Sequence, residues 1–210
     1  MLSDREEKTA GLGKFRLESL SDGIFAFAMT LLVLDLKIPI GHEGDLPQTL
    51  FGLWPKFLIY LVSFLVLSVF WVAHHGYSHF VKKTDRWYLW MNLLFLMVVV
   101  LVPFTTDLMG DYPHNPLAVM IYGININAIS LTLYFQWAYA TDKHRLVGGE
   151  LEADVIAKGK RRILIGFVFY LCAILLALYN PALSLILYTI IPICYVFPSQ
   201  IDSHWTHFHD

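Results

Sequence analysis

Charge is scarce in this chain. Only 15% of its 210 residues are Asp, Glu, Lys or Arg, while 57% are hydrophobic; soluble domains carry about 25% and about 45–50% respectively. A mean hydropathy of +0.56 points to a bilayer as the solvent, where a helix needs roughly 20 residues to cross about 30 Å of hydrocarbon. Cysteine is nearly absent too. Cys172 and Cys194 both sit inside apolar runs and read as small buried hydrophobes rather than as a disulfide. The formal net charge of −2 gives no basic excess, so nucleic acid is not an expected partner. The N-terminal stretch mixes acids with bases and lacks the apolar core of a secretory leader. No P-loop, dinucleotide fingerprint or nucleophile elbow is present; neither an enzyme nor a bound cofactor is expected. Internal repeats and low-complexity tracts are missing as well.

What remains is apolar sequence in six blocks. Residues 21–38, 57–75, 89–107, 117–140, 161–179 and 182–197 are expected to form transmembrane helices within one domain covering 1–210. Pro39 with Gly41, the Lys82–Arg86 stretch, the loop from Asp111 to Pro116, and Asn180-Pro181 supply the turns between them. A membrane-spanning barrel would alternate polarity along each strand, whereas these runs are continuously apolar. The expected fold class is therefore all-α, a polytopic membrane protein with the bilayer as its first partner.

Cations set the expected orientation. Arg5, Lys8, Lys14 and Arg16 precede the first segment, and Lys82, Lys83 and Arg86 separate the second from the third. Lys143, Arg145, Lys158, Lys160, Arg161 and Arg162 lie between the fourth and fifth. These regions hold 13 of the 15 Lys and Arg residues, leaving Lys37 and Lys56 for the other side. The positive-inside rule then puts both termini in the cytoplasm.

The first segment is the anomaly. Between Asp22 and Asp35 it offers only Gly23 to Leu34 without charge, and it includes Gly23, Ala26, Ala28 and Thr30. Acids at membrane depth usually face protein or water, and small residues permit close helix approach. Phe27, Leu31 and Leu34 recur at helical spacing with Thr30 and Gly23 at their margins. Such a face is either ordinary helix packing or a set of apolar rings around a pore, a known gating device.

The order of residues is more specific. Arg16-Leu17-Glu18-Ser19-Leu20-Ser21-Asp22 resembles the RxxxFSD signature of the transmembrane protein 175 family of endosomal and lysosomal potassium channels, which has six-helix prokaryotic relatives. The likeness continues through Gly23-Ile24-Phe25-Ala26, Met29-Thr30-Leu31-Leu32-Val33-Leu34 and Asp35-Leu36-Lys37-Ile38-Pro39. It reappears in Phe70-Trp71-Val72-Ala73-His74-His75, in Asn92 to Leu96 and in Val102-Pro103-Phe104-Thr105. Leu20 replaces the signature Phe, and Phe27 stands where the family usually places Ile or Leu. The resemblance implies a homotetramer whose first helices surround a pore passing potassium ions in preference to sodium. It implies apolar constriction rings at Phe27, Leu31 and Leu34, with the Thr30 hydroxyl beside them. A TVGYG filter is lacking, so selectivity would come from that constriction.

Arg16, Ser21 and Asp22 at the entrance of the first helix share a membrane face with Trp71, His74 and His75 on the antiparallel second helix. These six residues are expected to anchor the pore helix, with Asp22 satisfied by Arg16, a histidine or Trp71. Ser19 or Ser21 is a candidate N-cap. Asn125, Asn127 and Gln136 are candidates for hydrogen bonds between helices, and Trp71, Trp87 and Trp90 for an interfacial belt. The leading functional expectation is a passive potassium-selective channel in a prokaryotic plasma membrane. The alternatives are a proton-coupled secondary transporter relaying through Asp22, Asp35 and histidines, and an intramembrane metalloenzyme on His75 and His79. His204, His207 and His209 read as a solvated tail rather than a metal site.

Overall fold

The computed structural model describes residues 2–38 and 46–196, with side chains from residue 13 onward. The Pro39–Gly41 turn, Phe197 at the end of the sixth segment and the His204, His207 and His209 tail lie outside the described residues. The chain is all-α, with eight α-helices among the described residues: α1 (Leu2–Leu31), α2 (Leu46–Gly52), α3 (Trp54–Phe80), α4 (Arg86–Val100), α5 (Val102–Asp111), α6 (Pro116–Thr141), α7 (Ala153–Ala177) and α8 (Pro181–Val196). A 3-10 turn, Leu32–Asp35, continues α1, and a second, Asp142–His144, follows α6.

Hydropathy does not mark where the helices end. The first helix was expected over 21–38, yet α1 starts near the N-terminus. Lys, Arg and Glu are good helix formers, so the coil continues where the apolar sequence stops. Ser19 and Ser21 are consequently interior residues rather than caps. Each hydroxyl donates to a carbonyl four residues back, Phe15 at 2.9 Å and Leu17 at 3.0 Å. The same reasoning explains α7, which begins at Ala153 instead of 161 and carries the cations Lys158 to Arg162 as helix. It also explains α3, which runs to Phe80 and so takes in His79 beyond the expected end at 75.

The third segment divides in two. Pro103 has no N–H with which to satisfy the Val99 carbonyl, and α4 gives way to α5 at Leu101. At this break Asn125 Nδ2 donates to the Val98 carbonyl at 2.9 Å, and Thr105 Oγ1 donates to Asn125 Oδ1 at 3.0 Å. Helix breaks at membrane depth are tolerated where neighbouring side chains satisfy the backbone in this way. The short helix α2 went unforeseen, because its sequence carries no span-length apolar run.

Among the described residues, four regions are long and apolar enough to cross a membrane: Gly13–Asp35, Trp54–Phe80, Arg86–Asp111 and Pro116–His144. α8 is a shorter apolar helix, and α7 is charged through its first half. α6 is the hub, with 56% of its span buried inside the chain against 28% for the spans of α1 and α3. Tyr122, Ile126 and Ile129 of α6 are wholly buried. Gly123 lets α8 approach closely, since a methyl group there would overlap the Tyr188 hydroxyl and Ile174. Cys172 and Cys194 were expected in the interior; both thiols are free and lie on the outer surface.

One end of the bundle gathers the cations. Val81 bridges to Val147, and the Lys82 amide donates to the Leu146 carbonyl at 2.8 Å, which ties the turn after α3 to the one after α6. Gly13 of α1 lies beside Thr84 in the same place. The three cationic regions of the sequence therefore meet at this end, while Lys37 and Lys56 belong to the opposite one.

Candidate functional site

α1 has two faces. Ser21, Phe25, Ala28 and Leu32, spaced four, three and four residues apart, are buried against α3 and α4. Leu20, Gly23, Phe27, Thr30 and Leu34 follow the opposite stripe and are exposed. Phe27 and Leu34 are each 58% exposed, so large apolar side chains stand on a face that nothing among the described residues covers. Leu31 is half-buried on the flank between the stripes. Thr30 donates its hydroxyl to the Phe27 carbonyl at 2.8 Å, which leaves its methyl and oxygen lone pairs to the exposed side.

The buried stripe is held by a polar network. Asn92 of α4 is wholly buried. Its Nδ2 donates to Ser21 Oγ at 3.1 Å, and its Oδ1 faces His74 Nε2 at 2.9 Å. With the amide turned this way, Nε2 is the ring nitrogen that carries the proton. Gln136 of α6 reaches the same Oδ1 at 3.5 Å and donates to the Met91 carbonyl at 3.0 Å. The His74 ring stacks on Phe95, centroids 4.9 Å apart and planes 8° apart, and Phe95 in turn meets Phe25 of α1. Four helices are thus joined through one carboxamide.

A second set of contacts lies nearer the surface. Trp71 Nε1 donates to Asp22 Oδ1 at 2.9 Å, and His75 stacks on Trp71 at 5.5 Å. Ser78 donates to Glu18 Oε1 at 3.2 Å, and Lys14 pairs with the same carboxylate at 3.6 Å. Of the residues expected to satisfy Asp22, the structure brings Trp71 to it; Arg16 is exposed and does not join the group. Sequence reasoning named Ser21, Asp22, Trp71, His74 and His75 but gave Asn92 no part in the network. The available signal was that Asn92 is the single carboxamide in the apolar run from Leu89 to Thr105.

At the other end of α1, Asp35 shares a small cavity with Lys56, Thr106 and Asp107. Its Oδ2 is buried without a hydrogen-bond partner among the described residues, and Lys56 forms an ion pair with Asp111. Asp22 and Asp35 are separated by about 20 Å of helix at 1.5 Å per residue. Among the described residues, no three His, Cys, Asp or Glu side chains converge as a metal site would require. His79 lies edge-on to Phe80. Trp87 and Trp90, at the cationic end of α4, are 71% and 59% exposed, as an interfacial belt requires.

The geometry describes a bundle of apolar helices with one helix half-covered. A sequence profile for the endosomal/lysosomal potassium channel TMEM175 matches residues 16–103, the stretch holding the second half of α1 with Trp71, His74 and Asn92. A potassium channel of Streptomyces collinus is 33% identical over 187 residues, covering 87% of this chain and 91% of that one. The crystal structure described as a lysosomal potassium-selective channel TMEM175 homolog from Chamaesiphon minutus superposes with a TM-score of 0.77 at 32% identity, over 88% of this chain and 96% of the other. The human endosomal/lysosomal proton channel TMEM175 is 26% identical; the match takes in 91% of this chain but 40% of the human protein. The chain is a multi-pass membrane protein. The likeness spans nearly its whole length and includes the signature run that positions α1, and on that ground it belongs to the transmembrane protein 175 family.

Proposed function

We propose that the protein is a passive, potassium-selective cation channel, assembled as a homotetramer with α1 of each subunit around a central pore. The observation that carries this reading is the uncovered stripe of α1, with Phe27, Thr30 and Leu34 exposed opposite a face locked into the bundle. Large exposed apolar patches mark surfaces meant to be covered. Lipid is a poor cover for this one, because Gly23 and Thr30 interrupt it and Asp22 and Asp35 bracket it. Copies of the same helix around an axis cover its flanks and leave Phe27, Leu31 and Leu34 as apolar rings, with Thr30 between them. The names of the relatives support an ion channel and divide over the ion, potassium for the bacterial proteins and proton for the human one.

In this reading α7 and α8 complete six spans within one domain, the short apolar stretch of each matched by local thinning of the bilayer and snorkelling of flanking side chains. The cationic end, with both termini, faces the cytoplasm of a cell bounded by this plasma membrane. The transporter alternative gains nothing from the geometry: His74 and His75 both lie at the Asp22 end, and Thr30 is the only hydroxyl on α1 between the two acids.

Planar-bilayer recording of the purified protein, with potassium on one side and sodium on the other, tests the proposal. The expected reversal potential lies toward that of potassium and does not follow an imposed pH difference. A reversal at zero overturns the selectivity. A potential that tracks pH makes the protein a proton channel. Absence of current, with proton-coupled flux in vesicles, returns the transporter.

A further inference from the structure

A cavity of about 210 Å³ opens between α3, α7 and α8, floored by Ser130 and Leu133 of α6. It is not part of the α1 site. Its α3 wall runs from Leu65 to Tyr77, a rise of about 18 Å at 1.5 Å per residue, close to the ~15 Å of hydrocarbon in one leaflet. The rim is apolar and outward-facing, with Val72 and Val196 each more than half exposed. Water finds few partners inside. The Ser68 hydroxyl donates to its own helix at Phe64, and the Tyr195 hydroxyl donates to the Arg162 carbonyl at 2.8 Å. A roomy cavity of this kind takes apolar matter rather than water.

One end of the cavity is cationic. Arg162 of α7 lines it, donating to the Tyr195 carbonyl at 3.3 Å with its guanidinium 5.4 Å from the centre of the Tyr195 ring. Lys160 and Arg161 precede it on the same helix. Tyr77, at this end of the α3 wall, donates to the Gly159 carbonyl, which fixes the level as that of the cationic loops. A slot one leaflet deep, with arginine at the level of the headgroups, has the shape and charge of an anionic lipid. The planar guanidinium fork suits phosphate, and basic pockets between membrane helices are known to hold acidic headgroups.

We infer that this crevice binds an anionic glycerophospholipid from the leaflet at the cationic end, one acyl chain lying along α3 between Leu65 and Tyr77 and the phosphate meeting Arg162. The site is independent of the pore.

The test uses the full-length protein in vesicles containing phosphatidylglycerol or phosphatidylcholine with a photoreactive diazirine on the acyl chain. Labelled peptides are expected from α3 residues 65–77 and from the cavity-lining residues Ile163 and Tyr170, with phosphatidylglycerol labelling roughly fivefold more strongly, the preference that one basic residue near the membrane surface supplies. Arg162→Gln should abolish the headgroup preference, and Ala73→Phe should lower labelling by both lipids. Equal labelling by the two lipids in the unaltered protein overturns the inference. So does labelling confined to outward residues such as Val168 and Leu175, or a crosslink placed at residue 73 that captures residues 197–210 or a second copy instead of lipid. Arg162→Gln protein that keeps the preference while eluting normally on size exclusion also overturns it.

Discussion

Trp71 Nε1 donates to Asp22 Oδ1 at 2.9 Å, and this bond fixes how α1 is rotated about its own axis against α3. The exposed stripe begins next to Asp22, so the contact determines which residues of α1 face outward. Trp71→Phe keeps an aromatic ring for His75 to stack on but removes the donor. It should cost about 1–2 kcal/mol, read as a lower melting temperature in detergent. Asp22→Asn, which retains an acceptor, should cost less. Equal melting temperatures for Trp71→Phe and the parent would show that the bond does not hold the helix.

Asn92 is the more buried anchor. Asn92→Leu strands the buried His74 Nε2, at about 1–3 kcal/mol for a buried group left unpaired, and takes a second partner from Ser21 and Gln136, which keep the Leu17 and Met91 carbonyls. The expected outcome is a loss larger than that from Trp71→Phe. A double-mutant cycle with His74→Phe should be non-additive, as it is for residues within one network. Additive losses would separate the two residues energetically.

Within the proposed pore, Phe27→Ala should raise single-channel conductance or leak. Leu34→Ala should act in the same direction, and the outward-facing Leu175→Ala should leave currents unchanged. Single-channel recording decides among these. If Leu175→Ala matches Phe27→Ala in effect, the exposed stripe of α1 is not the ion path.

The approach of α6 and α8 gives a packing prediction. Gly123→Ala should destabilise by about 1–3 kcal/mol through overpacking, because the added methyl meets the Tyr188 hydroxyl, its ring and Ile174. Tyr188→Phe removes one of those atoms and should recover part of the loss, measurable as a partial return of the melting temperature. No recovery would place the clash at Ile174.

Asn125 at the α4–α5 break gives the fifth. Asn125→Leu takes one donor from the Val98 carbonyl and leaves the Thr105 hydroxyl only the Val102 carbonyl, and should cost about 0.6–2 kcal/mol, the range for polar contacts between membrane helices. Thr105→Val removes one partner only and should cost less. The reverse order in detergent melting would assign the stabilisation to Thr105.

Four of the six apolar blocks fall largely within helices long and apolar enough to cross a membrane, because transfer into hydrocarbon depends on side-chain composition, which is written locally. Helix ends were not legible. α1 and α7 continue through charged sequence that is good helix former, and the break at Leu101 depends on Pro103 together with an Asn125 donor distant in sequence. Asp22 and Trp71 were visible as partners because both sit where a polar group is expensive. Asn92 was harder to see: its role comes from three helices converging on one carboxamide, a fact of packing rather than of sequence. Cys172 and Cys194 look interior by composition alone, since a residue facing lipid and one facing the core carry the same apolar neighbours.

The turn that ends α1 alters the wheel on which its stripe is drawn. Leu31 has φ −66° and ψ −30°, and the residues after it are 3-10, so they advance about 120° each rather than 100°, and side chains three apart eclipse. Leu34 therefore lies nearer to the line of Leu31, about 6 Å further along the axis, than α-helical spacing would place it, while Leu31 stays half-buried on the flank and Leu34 exposed. In the proposed pore the two leucines form consecutive collars, the outer one the more exposed. A change of a few residues between 3-10 and α-helix at 32–35 would rotate the outer collar out of register without moving the inner one.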